Sequence, residues 1–131
     1  MEIHFRFIGY LFLVLALSHI FFPKYFSWKQ ELSKLSLVNR QIMLVHSFFI
    51  ALMVLLIGLL CLTSAHELIT TPLGKRISLG LGIFWGARLL IQFVGYSSKL
   101  WKGKLFETGV HIVFAILWAY ISVVFIKAYL A

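Results

Sequence analysis

Residues 41–62 read QIMLVHSFFIALMVLLIGLLCL, an apolar run with no Asp, Glu, Lys or Arg. Such a run needs an apolar solvent on most of its faces. About 20 apolar residues suffice for one helical crossing of a bilayer core about 30 Å thick. The same pattern recurs at roughly 5–22, 77–96 and 105–127. Backbone facing lipid must satisfy its own N–H and C=O groups, so each run is expected to be a helix. Alternation of period 2 is absent, which argues against a membrane barrel. The expectation is an all-α polytopic membrane protein: an antiparallel bundle of four transmembrane helices, forming one domain over 1–131.

Composition supports that reading. The chain is 62% hydrophobic and 12% charged, against about half and a quarter for a soluble domain. A chain of 131 residues has too little interior to hide so much apolar surface from water. The run from Phe7 to Phe22 ends in Phe21, Phe22 and Pro23 rather than in small residues. It therefore reads as a retained helix, not a cleaved signal. The net charge of +8 lies in the connections and not along a groove-reading stripe, so no nucleic-acid partner is expected. Cys61 is the single cysteine, which rules out a disulfide within the chain.

The connections have their own signals. In FSWKQELSKL, Ser27 and Gln30 have capping-box spacing. Trp28, Leu32 and Leu35 would then share one face of a short interfacial helix between the first and second spans. Thr71 and Pro72 suit an N-cap and the first helical position. Ser64 and Glu67 give a second capping-box spacing, which assigns His66 beside them a structural role. Seven basic residues (Lys24, Lys29, Lys34, Arg40, Lys99, Lys102, Lys104) belong to the first and third connections, and four (Arg6, Lys75, Arg76, Lys127) to the other side. The positive-inside rule puts the first and third connections in the cytoplasm, with a bacterial plasma membrane as the expected location.

Ionisable residues inside apolar runs mark candidate sites, because lipid solvates them poorly. Counting along each span places His19, His46, Gln92 and His111 on one side of the membrane, on the order of 7–9 Å from its middle at about 1.5 Å per residue. Arg88 can reach the same level, and Glu107, Arg40, Asn39 and Tyr96 form a shallower ring. Helical spacing groups Glu107, His111, Trp118 and Ser122 on one stripe, and Trp85, Arg88, Gln92 and Tyr96 on another. Glu107 is the nearby carboxylate expected to pair with Arg88. Gly82 and Gly86 have the spacing of a close helix contact. They are expected on the side away from Arg88, within the chain or in a homodimer. Gly109 is expected to admit another backbone or a ligand.

Three chemistries fit these residues. Imidazoles on facing helices suit haem iron or a transition metal. One version is a haem held by His46 and His111, with Arg40 or Arg88 at its propionates. Another is one ion held by His19, His46, His111 and Glu107. Arg88, Gln92, Tyr96 and the histidines also suit a quinone head or a small anion, with a redox role in view. The alternative is a non-catalytic accessory subunit, or a lipid-binding protein, in which the cluster only holds helices in register. Nothing in the sequence resembles a P-loop, a CxxC pair, an HExxH motif or a nucleophile triad.

Overall fold

The computed structural model describes residues 1–95 and 103–131. These form α1 (Glu2–Ser18), α2 (Phe22–Tyr25), α3 (Trp28–Glu31), a 3-10 turn (Leu32–Lys34), α4 (Leu37–Thr63), α5 (Ala65–Thr70), α6 (Pro72–Val94) and α7 (Leu105–Leu130). The fold is all-α, with no strand among the described residues. Three helices, α4, α6 and α7, are long and apolar enough to cross a membrane. The expected fourth, over 5–22, is not among them.

The first helix stops early for local reasons. It has 17 residues, about 25 Å at the usual rise. The Ser18 hydroxyl donates to the Leu15 carbonyl at 2.7 Å. His19 Nδ1 lies 2.6 Å from the same oxygen, and the His19 N–H is shared between Leu15 and Ala16. Pro23 then opens α2. It has no N–H to give, and its ring would clash with the His19 carbonyl in a continued helix.

The expected interfacial helix is broken as well. Ser27 takes the left-handed conformation (φ 54°, ψ 45°) and makes no side-chain cap, so the capping box with Gln30 does not form. A four-residue turn of α-helix and a 3-10 turn stand in its place, too short to present a continuous apolar face. Ser36 takes over as the cap of α4, accepting from the Asn39 N–H at 3.3 Å.

Packing divides the chain into two compact units, Ile3–Ala65 and Met1–Glu2 with His66–Ala131. In the first unit, α1 runs antiparallel against the C-terminal half of α4. Two glycines set the approach. A Cβ on Gly9 would fall 2.9 Å from the Gly58 carbonyl, and one on Gly58 would fall 3.0 Å from the Gly9 carbonyl. Val54, Ile57, Gly58 and Cys61 form the buried stripe of α4, and Phe5, Ile8, Gly9 and Phe12 belong to that of α1.

In the second unit α6 and α7 pack antiparallel. Thr71 caps α6 as its sequence predicts, its Oγ1 accepting from the Gly74 N–H at 2.9 Å, and Pro72 sits in the first turn. Gly74 lets α6 turn off α5, because a Cβ there would lie on the Glu67 carbonyl and 2.6 Å from Leu68 Cα. Ser78, fully buried, donates to the Leu68 carbonyl at 3.1 Å. The exposed His66 Nδ1 lies 3.1 Å from Glu2 Oε1, a contact the sequence does not specify.

Candidate functional site on helices 6 and 7

The buried stripe of α6 is Gly74, Ser78, Gly82, Trp85 and Gln92. Glycine and polar positions thus share one face, the one turned to α7. Gly82, expected with Gly86 on the side away from Arg88, thus shares the buried face with Gln92. A Cβ at Gly82 would fall 2.6 Å from Ile126 Cδ1, and one at Gly86 would fall 3.2 Å from Ser122 Oγ. The Ser122 hydroxyl donates to the Gly82 carbonyl at 2.9 Å. The glycines therefore make a close internal contact, as small residues do between membrane helices.

At the other end of this contact is a hydrogen-bonded chain. Arg88 Nη1 donates to Gln92 Oε1 at 3.1 Å, and Gln92 Nε2 stands 2.9 Å from His111 Nδ1. A guanidinium only donates, so the amide atom facing it must be the oxygen. The amide NH2 then points at His111, and Nδ1 must accept. That contact calls for an accepting Nδ1, which the tautomer with its proton on Nε2 provides. Gln92, only 6% exposed, sets that tautomer.

Aromatic rings continue the site. Trp85 and Trp118 stack with centroids 4.9 Å apart and planes 12° from parallel. Phe114 stacks on Trp118 at 5.6 Å, and the edge of Phe93 meets His111 at 5.6 Å. The Arg88 guanidinium carbon lies 5.3 Å from the Trp118 ring centre, within cation–π range. The Trp118 Nε1–H is buried with no hydrogen-bond partner among the described residues.

The other candidates stand differently. Glu107 is exposed in the first turn of α7 and forms no ion pair among the described residues, so the expected pair with Arg88 is absent. Gln92, one turn from Arg88 on its own helix, supplies the acceptor instead. A Cβ on Gly109 would meet no atom within 4 Å among the described residues. His19 bonds back to its own helix and packs against Phe22 at 4.7 Å. Arg40 is half-buried and His46 exposed, both on α4. Tyr96 lies outside the described residues, as does most of the basic turn containing Lys99, Trp101 and Lys102.

Among the described residues no group of three or more His, Cys, Asp or Glu stands close enough to hold a metal ion. The expected ion shared by His19, His46, His111 and Glu107 therefore finds no support here. The sequence stripes did carry Trp85, Trp118 and Ser122. They missed Phe93 and Phe114, whose signal is proximity to Gln92 and His111 along each helix. No family model, curated protein or solved structure matches the chain.

Proposed function

We propose that the chain is a small membrane protein that binds a planar, carbonyl-bearing ligand of quinone type beside Arg88, Gln92 and His111. One observation carries the reading. Arg88 Nη1, the Gln92 amide and His111 Nδ1 form a chain at 3.1 and 2.9 Å; with Nδ1 accepting, the ring proton lies on Nε2 and that nitrogen donates. An oxidised quinone head offers only acceptors and a flat π face. Its recognition calls for N–H donors and aromatic rings, and this part of the helix pair carries both. The buried Trp118 N–H is a further donor that a ligand carbonyl would satisfy. The three membrane-length helices suit a ligand that partitions into lipid.

The same tautomer weakens the haem and metal readings. An Nε2 that holds a proton has no lone pair for iron or copper. Freeing it would require the Gln92 amide to flip and surrender Arg88.

The test is tryptophan fluorescence in lipid nanodiscs titrated with short-chain benzoquinone and naphthoquinone analogues. Saturable quenching is expected, weakened in His111→Ala and reduced in amplitude in Trp118→Phe. Quenching that rises linearly and equally in all variants reports partitioning into lipid and sinks the proposal. The second reading is structural, with Gln92 holding α6 to α7 and no ligand involved. It is favoured by the burial of Gln92 and by both of its bonds ending within the chain. Quenching separates the two: both expect a lowered Tm in Gln92→Leu, but the structural reading expects no saturable quenching in the wild type.

A further inference from the structure

We propose that a proton taken up by His111 draws the Gln92 carbonyl away from Arg88, so that the joint between α6 and α7 changes partners with pH. The Gln92 oxygen accepts from Arg88 Nη1 at 3.1 Å, and the amide NH2 meets His111 Nδ1 at 2.9 Å. That arrangement holds only while Nδ1 keeps a lone pair. A protonated imidazole carries N–H on both nitrogens. Nδ1–H would then face the amide NH2, donor against donor, and Gln92 is too deeply buried to turn to water instead. A half-turn of the amide about its last bond gives Nδ1–H the oxygen as acceptor. The same half-turn sets the NH2 against Arg88, whose guanidinium only donates. Arg88 must therefore leave Gln92. The oxygen, pointed one way at a time, serves either Arg88 or a charged His111.

The surroundings let the exchange run. His111 is half-buried in the second turn of α7, near the helix end where interfacial water supplies the proton. Among the described residues of this unit, the charged groups toward His111 are Arg88 on α6 and Glu107 and Lys104 on α7. Glu107, one turn before His111, attracts an imidazolium; Arg88 and Lys104 repel one. Tyr120 falls on the opposite side of α7, counting about 100° per residue. Lys75 and Arg76 of α6 and Lys127 of α7 belong to the far end of the antiparallel pair. Arg88 has a second place to go. Its guanidinium carbon lies 5.3 Å from the Trp118 ring centre, and its side chain can extend toward the headgroups with its stem on apolar surface. The proton comes from water, one N–H bond forms at Nδ1, and no other covalent bond changes. No ligand takes part, so the exchange stands or falls apart from quinone binding.

Side-chain ¹⁵N spectra of the wild-type protein in quinone-free nanodiscs test the exchange, taken from about pH 8 to about pH 5, the range over which imidazoles charge. At the upper end, a coupling through the hydrogen bond is expected between Gln92 Nε2 and His111 Nδ1. It should vanish at the lower end, where Nδ1–H points at oxygen. The Gln92 amide and Arg88 guanidinium signals should shift with the same midpoint as the His111 ring. In Gln92→Leu, the Arg88 signals should no longer follow that midpoint. In His111→Ala, the Gln92 and Arg88 signals should not move over the range. A His111 that takes up no proton overturns the proposal. So does a His111 that charges while Gln92 and Arg88 keep their signals, or a Gln92 transition that persists in His111→Ala. The wild-type titration alone decides the matter if either variant fails to fold.

Discussion

Replacing Gln92 with leucine deletes the amide that joins Arg88 to His111 while nearly conserving volume. Two hydrogen bonds go, at 3.1 Å and 2.9 Å. Only the bond to His111 crosses between helices; such bonds in membranes average about 0.6 kcal/mol and reach about 1.7, so its direct loss is of that order. Arg88 keeps its contact with the Trp118 face and can lengthen toward the headgroups, which limits any further cost. Denaturation in mixed micelles should show that loss. Gln92→Glu provides the sharper comparison. A carboxylate still accepts from Arg88, but it has no proton to give His111. The imidazole must then donate from Nδ1, inverting the wild-type tautomer. Ring ¹⁵N chemical shifts of His111 read this directly. A wild-type spectrum with the proton on Nδ1, or an unchanged spectrum in Gln92→Glu, would falsify the network as the determinant of the tautomer.

Other substitutions probe the packing. Gly74→Ala puts a methyl group on the Glu67 carbonyl; backbone must move, so a loss of about 3 kcal/mol or more, or failure to fold, is expected in micelle denaturation. Gly9→Ala meets the Gly58 carbonyl at 2.9 Å and should cost about 1–3 kcal/mol by the same measurement. Ser122→Ala loses the bond to the Gly82 carbonyl and should cost only about 0.6 kcal/mol; a larger effect would mean that Ser122 does more than bridge two helices. Trp118→Leu removes both the stack on Trp85 and the face beneath Arg88. It should lower the melting temperature more than Trp28→Leu, a substitution in the four-residue helix α3.

How far the sequence could be read depended on how local the deciding interactions are. The long apolar runs announced α4, α6 and α7 because hydropathy over 20 residues is an additive property. The start of α6 was legible because Thr71 and Pro72 act within one turn. Depth counting put Gln92 and His111 at the same level, and they meet at 2.9 Å. The end of α1 was not legible. Ile20, Phe21 and Phe22 continue the apolar pattern, while the turn is made by Ser18 and His19 bonding backward. Ser27 has the right spacing for a cap but the wrong backbone angle, which spacing cannot reveal. The Arg88–Glu107 pair was expected on charge alone. A neutral amide one turn away wins because it is already buried beside the guanidinium, whereas Glu107 is exposed in the first turn of α7.

The chain from Arg88 through Gln92 to His111 also bears on proton movement across the bilayer. A wire needs links that can take up a proton on one side and release it on the other. Histidine can do so, but an amide holds its hydrogens and a guanidinium does not give one up near neutral pH. A proton reaching His111 therefore has no onward step through Gln92. In a membrane that sustains a voltage, this row of polar groups acts as an insulator: it places hydrogen-bond donors deep in the helix pair without opening a leak along them.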